Sequence, residues 1–252
     1  MIDGYAREPG VRGLENHMKK LLRKSARRIV EKKARTVRID RKEVGELLGR
    51  RIFSEADPYK TPRAGVVMGL AWTSLGGAVL HVEATGVSAD KPGFKQTGQL
   101  GSVMIESSEI AYTYIRSFLD SDAGGREFFQ KNAVHLHVPA GATPKDGPSA
   151  GITMASALYS LATRRPPMAR MAMTGELTLT GLVMPIGGVK EKAIAAKRAG
   201  VRHIILPKEN ESEFTELAAH IRRGLKPHFV ETFAEVVDFA FRKPSGRRAK
   251  SA

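Results

Sequence analysis

Between Pro144 and Thr163 a loop bounded by glycine and proline, Pro144-Lys-Asp-Gly-Pro-Ser-Ala-Gly151, opens directly into an apolar helical stretch. An apolar helix must be covered by other elements, so the chain needs a core able to hold it. Its 252 residues suffice for one large domain or two smaller ones. Ser149 sits at the junction. Serine commonly caps a helix, but Gly147 and Gly151 let the backbone approach a ligand closely and Pro148 stiffens the turn. The free N–H groups of a helix start also suit a developing oxyanion.

A second feature lies 43 residues on, in Gly187-Gly-Val-Lys-Glu-Lys-Ala-Ile-Ala-Ala196. At about 100° per residue, Val189, Ala193, Ala196, Ala199 and Gly200 share a face with Lys192 in their midst. Lys190, Glu191, Lys197 and Arg198 take the opposite arc. Alanines permit close approach of a neighbouring backbone. The lysine stem either snorkels outward or is held in the core, where burial favours the neutral amine. A neutral amine can take the proton of a serine hydroxyl. Ser149 and Lys192 are therefore read as a serine–lysine dyad.

Composition narrows the class. Hydrophobic content of 42% with 27% charged residues describes a globular chain. No apolar run reaches the ~20 residues needed to span a bilayer, so no membrane partner is expected, and no signal-peptide core opens the chain. Without cysteine there is no disulfide, thiolate metal site or cysteine nucleophile. The net charge is +15, and residues 1–51 hold 16 Lys and Arg against 7 Asp and Glu. Such a surface either attracts polyanions, nucleic acid first, or is a solvated helix face.

Patterning predicts a helix from Leu14 through Met18, Leu21, Leu22, Ser25 and Ile29, a short strand Thr36–Asp40, and a helix capped by Asp40 and ended by Gly49. Four regions follow: a small α-rich subdomain at 1–50, a linker at 51–63, the main domain at 64–242 and a basic disordered tail at 243–252. In the main domain, strands are predicted at Gly65–Trp72 and Ala78–Ala84, joined by a Ser-Leu-Gly-Gly turn, then a hairpin or loop over 85–98. A helix is predicted at Leu100–Leu119, a strand at Val134–Val138, a helix at Ser149–Thr163 and a strand at Met171–Leu179. The last elements are a helix at Val189–Ala199, a strand at His203–Leu206, a helical stretch at Glu209–Arg222, a strand at His228–Val230 and a helix near Thr232–Phe241. Interleaved strands and helices make the class α/β or α+β, and α+β is the expectation.

Taken together, PKDGPSAG and GGVKEK resemble the nucleophile and lysine motifs of the Lon protease family, with Ser149 and Lys192 on the catalytic positions. Met173-Thr-Gly-Glu-Leu-Thr-Leu-Thr-Gly181, Met184-Pro-Ile-Gly-Gly188, Gly69-Leu-Ala-Trp-Thr73 and Leu100-Gly-Ser-Val-Met-Ile-Glu-Ser107 also resemble the family, and the likeness spans residues 3–241. It implies that Thr174 holds the catalytic amine, that Asp146 or Glu176 clamps Lys192 in an inactive arrangement, and that substrate enters as an extended strand beside Gly65–Thr73, with Trp72 in contact. Arg7-Glu-Pro-Gly-Val-Arg12 resembles the second sensor segment of the family's AAA+ module, which puts Arg12 near a nucleotide in an intact enzyme. No G-x-x-x-x-G-K-[ST] loop is present. No cofactor is thus expected of this chain, ATP and Mg serving the parent enzyme, and the chain is read as a piece beginning in the small helical ATPase subdomain. The family usually carries acidic residues where Ala140 and Ser102 stand.

The resemblance implies a serine endopeptidase acting on unfolded or damaged polypeptide, assembled as a homohexamer, in the bacterial cytoplasm or alternatively the mitochondrial matrix. The competing class is a nucleic-acid-binding module using the basic N-terminal helices. Two further site readings are a Ser-His-Asp triad of Ser149 with His135 or His137 and Asp146, and a metal held by the two histidines, for which no third ligand is evident.

Overall fold

The computed structural model describes every residue except 7, 9, 32–34, 54–58, 60, 74–75, 140–143 and 242–252. The predicted disordered tail, the Ser74-Leu75 half of the turn, Ala140 and part of the linker lie outside the described residues. The chain divides into two compact units, Met1–Lys60 and Thr61–Ala252.

The first unit is helical: α1 (Ile2–Tyr5), α2 (Arg12–Val30) and α3 (Arg41–Leu48). Glu8 caps the start of α2, its carboxylate accepting from Gly13 N at 2.5 Å and Leu14 N at 3.1 Å. Asp40 accepts from Lys42 N and Glu43 N, and α3 stops before Gly49, whose φ of 88° suits glycine. Leu21 and Ser25 are the buried residues of α2, whereas Met18, Leu22 and Ile29 of the predicted apolar face are exposed. Residues 36–40 form no strand among the described residues and run straight into the Asp40 cap.

The second unit is built on a seven-stranded mixed sheet, which makes the fold α+β. Its elements are β1 (Val66–Thr73), β2 (Gly76–Ser88), β3 (Gly93–Thr97), α4 (Ser102–Phe118), α5 (Ala123–Lys131), β4 (Asn132–His137), α6 (Gly151–Thr163) and β5 (Met171–Met173). They continue with β6 (Glu176–Leu177), β7 (Val183–Met184), α7 (Val189–Arg198), β8 (His203–Pro207), α8 (Glu211–Glu216), α9 (Ala219–Arg222), β9 (Lys226–Val230) and α10 (Phe233–Ala240). The strand order is β3-β4-β2-β1-β5-β8-β9. β2 runs antiparallel to β1 and β4, and the other neighbours are parallel.

Alternation along the central strands divides the core in two. Val67, Met173 and Ile205 face α4, α6 and α10, while Leu70, Ala172, Ile204 and Leu206 face α7, α8 and α9. The first ten residues of α6 are all buried, so the apolar helix found in the sequence is the spine of the first core. α7 is alanine-rich because β2 comes very close: a Cβ placed on Gly77 would lie 1.9 Å from Glu191 O and 3.1 Å from Ala195 Cβ.

Four regions of the second unit differ from the sequence expectation. The 85–98 region is no hairpin, since β2 continues to Ser88 and β3 pairs in parallel with β4. α5 arises from a segment whose two glycines, Gly124 and Gly125, conceal it, with Asp122 capping at Gly125 N. The predicted strand Met171–Leu179 breaks after Met173, because Thr174 N donates to Ile205 O and Gly175 N donates to Ser149 O. The chain then enters a separate hairpin, β6 with β7. Glu209–Arg222 likewise splits into α8 and α9 at Leu217 and Ala218.

Candidate active site

The break after β5 brings the two sequence features together. Ser149 lies in a single 3-10 turn, Pro148–Ala150, which runs into α6. Gly147 ahead of it has φ 111°, a conformation open to glycine and costly for other residues. The loop is fastened to the start of α4. Lys145 N donates to Gln99 O, Gly101 N donates to Lys145 O at 2.7 Å, and Ser107 Oγ donates to Pro148 O at 3.4 Å. Asp146 accepts from Met104 N at 3.0 Å and from Gly147 N at 2.9 Å. Its carboxylate thereby satisfies an N-terminal amide of α4. Asp146→Ala is expected to lower stability by about 1 kcal/mol, read as a drop in melting temperature that Asp146→Asn largely avoids.

Lys192 is 2% exposed, between Val189, Ala193, Ala195 and Ala196. Its Nζ donates to Thr174 Oγ1 at 3.1 Å, and Thr174 Oγ1 donates to Ser149 O at 3.0 Å. One buried hydroxyl therefore links the lysine amine to the main chain of the serine. Burial lowers the Lys192 pKa to about 8, against the opposing charge of Glu213. A lysine near 8 has a substantial neutral fraction close to physiological pH, as a general base requires. The lysine stem does not snorkel to solvent.

The carboxylates of Asp146 and Glu176, expected to clamp Lys192, make no hydrogen bond or ion pair to it among the described residues. Asp146 is committed to α4, Glu176 lies on β6 opposite Met184, and the carboxylate that Lys192 feels is Glu213. Sequence reasoning missed Glu213 because α8 is far along the chain and carries three glutamates without a distinguishing pattern. His135 Nε2 and His137 Nδ1 both meet Thr97 Oγ1, at 2.9 and 2.7 Å, while the Asp146 carboxylate accepts from Met104 N and Gly147 N. Among the described residues no three His, Cys, Asp or Glu are grouped to hold a metal.

Trp72 is 64% exposed near the end of β1, and it packs beside Gly188, the residue preceding α7. β1 meets β5 at Gly69↔Met173 alone, so the Leu70–Thr73 edge extends past the point where its neighbour ends. In the first unit, Arg12 is exposed at the start of α2. Four of the cations of α2 have partners nearby: Lys19 with Glu15, Lys24 with Leu47 O, Arg27 with Glu31 and Arg28 with Glu43. No helix among the described residues is long and apolar enough to cross a membrane.

The structure thus brings a serine at a helix start and a buried lysine to the same threonine hydroxyl, the two groups that a serine–lysine hydrolase requires. Comparison with known proteins agrees. Residues 38–243 match the Lon protease (S16) C-terminal proteolytic domain, and residues 1–37 match the Lon protease AAA+ ATPase lid domain. The chain is 53% identical over 241 residues to Lon protease 1 of Syntrophotalea carbinolica, covering 96% of this chain and 30% of that protein. It is 49% identical over 249 residues to the mitochondrial Lon protease homolog of Homo sapiens, covering 96% and 26%. To Lon protease of Chlamydia pneumoniae it is 48% identical over 249 residues, covering 96% and 30%. The chain belongs to the Lon protease family, and its class is serine peptidase. It spans less than a third of the length of these relatives.

Proposed function

We propose that the chain is the peptide-cleaving portion of an ATP-dependent Lon protease, with Ser149 as nucleophile and Lys192 as general base. The observation that carries this reading is the buried Lys192–Thr174–Ser149 connection. Ser149 Oγ attacks the scissile carbonyl. Neutral Lys192 accepts the hydroxyl proton and then returns it to the leaving amine, which yields the acyl-enzyme. Thr174 orients the amine, and main-chain N–H groups at the Ser149 turn stabilise the oxyanion. Water attacks the acyl-enzyme and gives its proton to Lys192, which returns it to Ser149 Oγ as the ester bond breaks and the acid product leaves.

Unfolded polypeptide is the proposed substrate, added as a strand along the Leu70–Thr73 edge with Trp72 as an apolar platform. ATP and Mg are proposed to serve the whole protein, with Arg12 sensing nucleotide there. A homohexamer is the proposed assembly. The bacterial cytoplasm is the proposed compartment and the mitochondrial matrix the alternative, since relatives of both origins match at similar identity. Phosphate contacts through the basic face of α2 are proposed as a secondary property only. A steep loss of DNA affinity with salt would support them.

The test is hydrolysis of a short fluorogenic peptide without ATP. Slow cleavage is expected from the wild type, folded proteins staying intact, and kcat/KM is expected to rise with pH through about 8 as Lys192 loses its proton. Ser149→Ala should abolish it. A rate equal to the wild type in Ser149→Ala would overturn the reading.

A further inference from the structure

Asn210 is 6% exposed and closes the turn Lys208–Asn210 ahead of α8. Its amide makes two bonds to one residue: Ile186 N donates to Oδ1 at 3.0 Å, and Nδ2 donates to Ile186 O at 2.9 Å. Nδ2 also donates to Glu213 Oε2 at 3.3 Å. These three contacts fix which end of the amide is nitrogen, because the flipped amide would set oxygen against two oxygens. Ile186 belongs to the short link from β7 to α7, and Gly187 and Gly188 in that link have no side chains to anchor it. Asn210 therefore fixes where the lysine helix begins, and Lys192 follows one turn later, its N–H donating to Gly188 O.

Several elements pack against α7. β2 carries His81 and Glu83, α8 carries Glu211, Glu213 and Glu216, α9 carries His220 and Arg222, and β1 carries no titratable group; α7 itself adds Glu191 beside Lys192. Of these, Glu213 is bonded to Asn210 on the helix packed against α7, and its negative charge favours the protonated form of the Lys192 amine.

We propose that Asn210 and Glu213 form a positioning pair for Lys192. Asn210 braces the main chain that starts the lysine helix and holds the Glu213 carboxylate on α8, which packs against that helix. Burial lowers the pH at which the amine becomes a base, and the charge of Glu213 raises it part of the way back. The pair touches no reacting atom and acts through Lys192, so this inference rests on the reading of Lys192 as general base.

The experiment is the pH dependence of kcat/KM for the fluorogenic peptide, at low and high salt, in wild type, Glu213→Gln, Asn210→Asp and Asn210→Ala. Glu213→Gln retains an acceptor for Asn210 and removes the charge, so the acid limb should move to lower pH by about half a unit at low salt. Glu213 is exposed, so the shift should shrink at high salt. Asn210→Asp keeps the bond from Ile186 N and adds a carboxylate, so its limb should move the opposite way. Asn210→Ala should lose kcat by about tenfold with little change in KM. If Asn210→Ala fails to fold, Glu213→Gln still decides the matter, because it alters an exposed side chain. An acid limb unmoved in Glu213→Gln, or moved the same way in Glu213→Gln and Asn210→Asp, overturns the inference while leaving the dyad intact. Cleavage retained by a Lys192→Met control would overturn the dyad, and the inference with it.

Discussion

Lys192→Met is expected to abolish peptide cleavage while making the protein more stable at pH 7. The first effect follows from its role. In the proposed dyad the amine takes the serine proton, and losing one member of such a unit costs roughly 10³–10⁶ in kcat. The second follows from burial. At 2% exposure the ammonium gives up most of its hydration, and no carboxylate among the described residues hydrogen-bonds to it. Its folded pKa, about 8, lies below the ~10.4 of an unfolded lysine. The unfolded chain therefore holds the extra proton between these values, so wild-type stability rises as pH increases from about 8 to about 10.4. Below that window the full cost of burying the ion is present, and methionine removes it with similar length and volume. Melting curves at pH 7 and pH 10 check this: the advantage of Lys192→Met should be largest at pH 7 and narrow at pH 10. An equal advantage at both would mean that the lysine carries no buried charge.

Gly77→Ala is expected to disrupt the site from the far side of the lysine helix. The added methyl would sit 1.9 Å from Glu191 O, a main-chain atom one residue from Lys192. No rotamer relieves such a contact, so either β2 or α7 must move. Overpacking of this kind costs typically 1–3 kcal/mol, and here the yielding element carries the amine. A lower melting temperature and a loss of kcat larger than the change in KM are the expected results. Unchanged kcat would show that β2 gives way and α7 does not.

Much of this site is legible in the sequence. Ser149 and Lys192 stood out because each breaks a local pattern, one as a polar group at the mouth of an apolar helix, the other as a charge on an alanine face. Asp40, Gly49 and the α6 helix were readable for the same reason, since caps and apolar runs are local chemistry. What escaped was tertiary. The strand ending at Met173 looked continuous to Leu179, because its interruption is made by bonds to Ile205 and Ser149, distant in sequence. Glu213 and Asn210 gave no local sign of their role. α5 was hidden by Gly124 and Gly125, whose weak helix propensity is overridden once Phe129 is buried.

Thr174 imposes a narrow chemical requirement on its position. Its side chain receives a hydrogen from nitrogen and passes its own to a carbonyl oxygen, a two-way task that a lone hydroxyl performs in the least space. Valine matches the shape and can do neither half, and asparagine is too bulky for a fully enclosed spot. Serine and threonine are thus the only substitutes for one another at the joint where two distant stretches of chain meet.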